Sequence, residues 1–178
     1  MIFYDRVIEL VEEYRDKYAT SDPFEILDEL RICVTFRPMS MSISGFVFVM
    51  SDGPVITLNS SLRSMRKKLT AAHELWHATE DKFILDGIHM ERSDVRLTDE
   101  CEVNANLFAV ELCIPDEKIL NLLEEGESIE EIAVRLNVRP EMLRYKLKLL
   151  AYKGYDIPEN FTEVRSDAMT DAEEMVKL

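Results

Sequence analysis

Ile43-Ser44-Gly45-Phe46-Val47-Phe48-Val49-Met50-Ser51-Asp52-Gly53-Pro54-Val55-Ile56-Thr57-Leu58 is the stretch on which the fold class turns. Two runs of β-branched and aromatic residues flank Ser-Asp-Gly-Pro, so the segment predicts two strands joined by a turn over 51–54. Ile32 to Phe36 supplies a third run of the same kind, and the three together predict a small antiparallel three-stranded sheet. Everything around the sheet reads as helix. Upstream, Val7, Ile8, Leu10, Val11 and Tyr14 repeat at helical spacing over 3–18, Ser21-Asp22-Pro23 restarts the chain, and Phe24 to Leu30 forms a short second helix. Downstream, Asn59, Ser60 and Ser61 are candidate caps for a long helix over 62–79. A polar loop over 80–97 follows, then a helix capped by Thr98 and stopped at Ile114 by Pro115. Asp116 to Glu125 is helical up to Gly126; Ser128-Ile129-Glu130-Glu131 is a capping-box pattern opening Ile129 to Leu136; Pro140 starts a last helix that runs to Ala151. The order α-α-β-β-β followed by helices is α+β.

Composition narrows the class. The chain has 178 residues, 47% hydrophobic and 31% charged, with only 5 Gly and 6 Pro. That excludes collagen-like and low-complexity architectures and predicts one domain over 1–155, followed by an acidic, partly disordered tail over 156–178. No apolar run approaches the length of a membrane span, and Asp5 interrupts the N-terminus too early for a secretory segment. Three cysteines without a CxxC predict neither a disulfide framework nor a zinc ribbon, so the expected compartment is the cytoplasm, with no membrane partner. A net charge of −14 repels nucleic acid as a whole; it reads first as solubility and solvated helix faces, with steering of a basic partner as the sharper alternative.

The chemistry concentrates in Leu69-Thr70-Ala71-Ala72-His73-Glu74-Leu75-Trp76-His77-Ala78. On a helix the i, i+4 spacing puts His73 and His77 one turn apart on one face, where both imidazoles can bind a single Zn²⁺. Glu74 lies beside them, free to accept a proton. Leu62, Met65, Leu69, Ala72 and Trp76 form a buried stripe next to that face. The bland alternative is a pair of structural histidines with an exposed glutamate. A catalytic zinc needs a third protein ligand. The metzincin extension is absent, because Glu80 and Phe83 stand where Gly and His are needed. A carboxylate from a second helix is the other solution: Glu102 can ligate while Asn106, one turn on, hydrogen-bonds a ligating histidine. Glu100 competes for the ligand role. His89 reads as a loop residue, and Cys101 and Cys113 as core.

Taken together, Leu-Thr-Ala-Ala-His-Glu-Leu-Trp-His at 69–77 and Glu-Val-Asn-Ala-Asn-Leu-Phe-Ala-Val-Glu-Leu-Cys-Ile-Pro at 102–115 resemble the ImmA/IrrE zinc metallo-endopeptidases. The resemblance extends more loosely over 1–150. It implies a gluzincin-like α+β fold, one Zn²⁺ held by His73, His77 and Glu102, and Glu74 as the base for attack of zinc-bound water on a peptide. It also implies a helix-turn-helix repressor of a mobile element or prophage as the substrate. A second electrophile for the oxyanion is open between His89 and Tyr145, and an edge of the sheet can dock the substrate as an added strand. Trp76, where family members often carry Gly, is expected to narrow or reshape the cleft behind the zinc.

A different class of function competes. Residues 128–152 look like a helix-turn-helix pair, locally basic through Arg135, Arg139, Arg144, Lys146 and Lys148. A DNA-binding regulator, or a partner-binding protein with a non-proteolytic zinc site, is the alternative reading. The net charge and the resemblance both weigh against direct nucleic-acid binding.

Overall fold

The computed structural model describes residues 2–81, 99–158 and 161. His89, the Thr98 cap, nearly all of the 80–97 loop and most of the tail lie outside the described residues. Among the described residues the elements are α1 (Tyr4–Tyr18), α2 (Pro23–Glu29), β1 (Cys33–Arg37), β2 (Gly45–Met50), β3 (Gly53–Asn59), α3 (Ser64–Thr79), α4 (Asp99–Cys113), α5 (Asp116–Glu124), α6 (Ile129–Leu136) and α7 (Pro140–Tyr152). This is the expected α+β fold, with a three-stranded sheet.

The sheet is mixed, where an antiparallel one was expected. Its order is β1-β3-β2, with β3 antiparallel to β2 and parallel to β1. Burial explains the difference. Ile56, Thr57, Leu58 and Asn59 are buried in succession, whereas β1 and β2 keep exposed residues, so β3 takes the centre and the chain crosses over its end between β1 and β2. Asn59 holds that crossover. Its side chain is buried, its amide donates to the carbonyls of Met39, Ser40 and Ile43, and its Oδ1 accepts from the Met39 and Ser61 amides. With Asn59 committed there, α3 starts at Ser64 behind an N-cap Arg63 that offers no side-chain bond, two residues later than a cap at 59–61 would place it.

The central layer is α3 packed on α4. From Leu69 onward α3 is buried on nearly every side, between the sheet and α4, and α4 buries Leu107, Phe108, Val110, Leu112 and Ile114. Trp76 packs against Phe108 in a tilted pair, ring centroids 5.6 Å apart, and sits in this core. Trp76 therefore lies behind the histidines rather than in the groove in front of them. Ser128 and Glu131 close the expected capping box at the start of α6. Ile157 and Phe161 pack against the core, so packing continues past the 155 boundary.

One buried ionic ring fixes α7 against α4. Lys146, fully buried, and Lys153 alternate with Glu111 and Asp116: Lys146 Nζ is 2.7 Å from Glu111 Oε2, and Lys153 Nζ is 2.5 Å from Glu111 Oε1 and 2.8 Å from Asp116 Oδ2. Lys146 also contacts Asp116. Burial opposes the charged form of Asp116, but the two ammonium groups outweigh it and hold its carboxyl below 3.8. That contribution to stability is present above the ordinary aspartate value and is lost as the pH falls through the lowered one. Removing one partner strands buried charge, so Lys146→Ala is expected to cost about 3 kcal/mol at neutral pH. Thermal unfolding followed by circular dichroism should show a midpoint lower by roughly 6–12 °C.

Candidate metal centre

α3 presents His73 and His77 on one face because four residues make just over one turn. α4 runs alongside and brings Glu102 opposite them. His73 Nε2 lies 3.1 Å from His77 Nε2 and 3.3 Å from Glu102 Oε2, and His77 Nε2 lies 3.6 Å from Glu102 Oε1. The outer nitrogens are engaged elsewhere. His73 Nδ1 donates to Asn106 Oδ1 at 3.0 Å and His77 Nδ1 donates to Asp81 Oδ2 at 2.7 Å. Since neither oxygen can donate, both Nδ1 atoms carry the hydrogen, and both Nε2 lone pairs turn toward each other and toward a carboxylate. Acceptors converging in this way suit a positive charge among them, either a metal ion or a proton on His73 Nε2 shared with Glu102. Two donors about 2.0–2.1 Å from a tetrahedral Zn²⁺ lie about 3.3 Å apart, so the observed triangle has the edges of such a site. The donor set fits a metal, with each imidazole oriented by a hydrogen bond from behind.

The electrostatics agree with the geometry. Burial works against a charged His73, but its hydrogen bond to Glu102 and the nearby Glu74 and Glu102 carboxylates outweigh it and raise its pKa. The same hydrogen bond to His73, opposed by burial, lowers the pKa of Glu102. Glu74 is buried beside the triangle, and burial is what pushes its carboxyl up, against the pull of His73 and His77. Glu102 by contrast is about half exposed, its side chain 46% accessible, and opens onto a groove of about 300 Å³ lined also by Ser44, Gly45, Thr70, His73, Glu74 and Asn106.

Of the residues singled out from sequence, His73, His77 and Glu102 are brought together, Glu74 adjoins them, and Asn106 meets His73. Tyr145, half-buried on α7, interacts through its hydroxyl with Asn106 in the field of Glu102, and burial raises its pKa, so it stays a neutral donor near pH 7. Glu100 lies away from the triangle, lining a small cavity with Trp76 and Asp81. Cys113 is inert, its thiol pushed up to about 12 by burial. Asp81 escaped the sequence reading, although its i, i+4 spacing from His77 was a usable signal. Because it orients a ligand from behind, Asp81→Ala is expected to weaken metal affinity about 10–100-fold. A competitive chelator titration reads that directly.

Gly45 seats the start of β2 against α3. A Cβ there would lie 2.8 Å from Thr70 Cγ2, 2.9 Å from Leu58 Cδ2 and 3.1 Å from the Thr57 carbonyl, so only glycine allows this approach. Gly45→Val is expected to cost about 1–3 kcal/mol through overpacking. In a urea titration the midpoint should fall without a change in slope.

Residues 27–148 match the family model of peptidase M78, the IrrE N-terminal-like domain. The chain belongs to this family. Its likeness to named members runs through the same region. It is 29% identical over 143 residues to an "Uncharacterized immunity region protein 2" of Bacillus phage phi105, covering 80% of this chain and 90% of that protein. It is 30% identical over 149 residues to the "Radiation response metalloprotease IrrE" of Deinococcus deserti, covering 80% of this chain and 52% of that protein. With the protein of the same name in Deinococcus radiodurans it shares 32% over 99 residues, 52% of this chain and 30% of the relative. The chain thus spans nearly the whole phage protein, about half of the Deinococcus deserti protein and under a third of the Deinococcus radiodurans one. M78 membership makes this a metallopeptidase-type domain, and the His-His-Glu group can hold its metal. No helix among the described residues is long and apolar enough to cross a membrane.

Proposed function

We propose that the protein is a zinc-dependent endopeptidase that cleaves a helix-turn-helix repressor of a mobile element or prophage. The observation that carries the reading is the triangle of Nε2, Nε2 and carboxylate acceptors with a buried glutamate at its edge, opening on a groove. His73, His77 and Glu102 are the ligands, and Asn106 and Asp81 hold the two imidazoles in the ligating tautomer. A Zn²⁺ bound there supplies the Lewis acidity that activates water and polarises the scissile carbonyl. Glu74 takes the proton from that water as its oxygen bonds to the carbonyl carbon, and returns it to the amine nitrogen as the C–N bond breaks. Its raised pKa, a product of burial, suits both halves of that transfer. Tyr145 is the donor placed to steady the carbonyl oxygen. β2 is an edge strand at the groove rim, so an extended substrate can pair with it.

The repressor assignment draws support from the phage relative, which is named as an immunity region protein, and from the acidic charge of this chain, which would attract a basic DNA-binding domain. In this reading residues 1–155, including the 128–152 pair, act as one cytoplasmic catalytic domain, with Ile157 and Phe161 packed onto its core. The DNA-binding alternative loses three of its five cations to internal partners: Lys146 is buried with Glu111, Arg135 pairs with Glu125 and Glu127, and Arg144 faces Glu130. The test is incubation of the zinc-loaded protein with purified helix-turn-helix repressors of mobile elements. A discrete truncated product that is absent with Glu74→Gln supports the reading; zinc-replete protein that cuts none of them overturns the repressor assignment.

A further inference from the structure

The groove sets two guanidiniums, Arg66 and Arg139, beside the Glu74 and Glu102 carboxylates. Arg66 and Arg139 line it, yet among the described residues neither is ion-paired, and Arg139 only donates to Ser44 Oγ at 3.1 Å. Arg6, Lys68, Arg135, Arg144, Lys146 and Lys153 sit in ion pairs, whereas Arg66 and Arg139 are among the described cations that do not. Two guanidiniums left without a carboxylate partner thus line one groove.

Arg66 precedes His73 by seven residues on α3, two turns along the same face and so about 10 Å along the axis. Arg139 is the N-cap of α7 and reaches Ser44 on the groove wall, with Met142 beside it in the lining. Both arginines thus line the groove that holds His73, and Arg66 marks an end about two helical turns from it. An extended peptide advances about 3.3 Å per residue, so this end meets a substrate side chain about three residues from the bond being cut.

We infer that Arg66 and Arg139 form a subsite for an acidic side chain, aspartate or glutamate, two to four residues to one side of the scissile bond. The inference rests on the peptidase reading and names the substrate class for it. Guanidinium presents paired N–H donors that match a carboxylate, and the Ser42 and Ser44 hydroxyls can add to it. The chain's overall field repels an acidic peptide at long range, so the subsite acts at contact distance, as a choice among peptides already in the groove. A helix-turn-helix repressor with a basic DNA-binding domain and an acidic stretch at its cleavage point would satisfy both fields.

The experiment is cleavage of a proteome-derived peptide library by the full-length, zinc-loaded protein, with cut sites read by mass spectrometry. Wild type should show about tenfold enrichment of Asp and Glu at one position two to four residues from the cut, as expected for a charged hydrogen-bonded pair. The charge-reversed double variant Arg66→Glu/Arg139→Glu should cut with Lys or Arg enriched at that same position, an inversion that mere loss of folding cannot produce. Cleavage without acidic enrichment, enrichment that survives the charge reversal, or cutting keyed to the C-terminal carboxylate of each peptide overturns the subsite while leaving peptidase activity standing. If wild type cuts nothing, the peptidase reading fails, and binding of matched Glu- and Gln-containing fluorescent peptides to Glu74→Gln protein then decides the subsite alone: equal affinity overturns it.

Discussion

Glu74→Gln is expected to lower peptide hydrolysis by about 10²–10⁴-fold, the range by which a positioned general base accelerates proton transfer. Glutamine keeps the shape of the side chain and its burial, so the fold should hold. It cannot accept a proton at the carboxylate, and it does not belong to the His73, His77 and Glu102 triangle. Metal content should therefore stay at the wild-type level. The two readouts together separate the alternatives. Lost cleavage with unchanged metal identifies Glu74 as the base. Lost cleavage with lost metal would mean that the substitution damaged the site. Cleavage that persists would assign the proton transfer to another group. An effect on a repressor that survives without cleavage would make the protein a binder.

Glu102→Ala should release the metal. Removing a partner that only orients a ligand costs about 10–100-fold in affinity, and removing a ligand itself should exceed that range. His73 and His77 would remain one turn apart as a two-nitrogen site, too few donors for tight binding of zinc. Elemental analysis of protein purified without added metal should give about one zinc per chain for wild type and a small fraction of that for the variant. Thermal stability provides a second view. Metal at 100 times its dissociation constant stabilises the native state by about 2.7 kcal/mol, and this increment should vanish in Glu102→Ala at the same concentration. If the variant retains both zinc and the increment, the third ligand lies elsewhere. The observed 3.3 Å and 3.6 Å separations from the two histidines make Glu102 the residue to test first.

Much of the fold was legible before any coordinates because its signals are local. Helical spacing in α1, turn residues between β2 and β3, the Ser128 capping box and the proline after α4 each act within one element, and those elements appear within a residue or two of the expected bounds. The order of the strands was not legible. It depends on which run is most buried once α3 packs, and on Asn59 tying down a crossover, both products of the assembled structure. The site divides in the same way. His73, Glu74 and His77 follow from helix spacing, and Glu102 and Asn106 from a second helix with polar residues one turn apart. Asp81 lies at the end of α3, where a carboxylate looks like an ordinary helix terminus until the histidine beside it is known to need a partner. Arg66 and Arg139 are far apart in sequence and come to line one groove only in the folded chain.

The exposed strand β2 has a consequence for solubility. Its outward residues Phe46, Phe48 and Met50 are 45%, 37% and 52% accessible, and among the described residues the strand has no sheet neighbour on one side. An apolar edge of this kind is a template for pairing between copies, and proteins commonly blunt such edges with lysine, proline or a bulge. A strand that pairs with substrate, as proposed for β2, would have to stay free of such blunting. The net charge of −14 offers protection from a distance, keeping like molecules apart in solution while the edge stays open. High salt or a pH near the pI of 4.7 removes that protection, so aggregation of this protein should begin at the rim of its own groove.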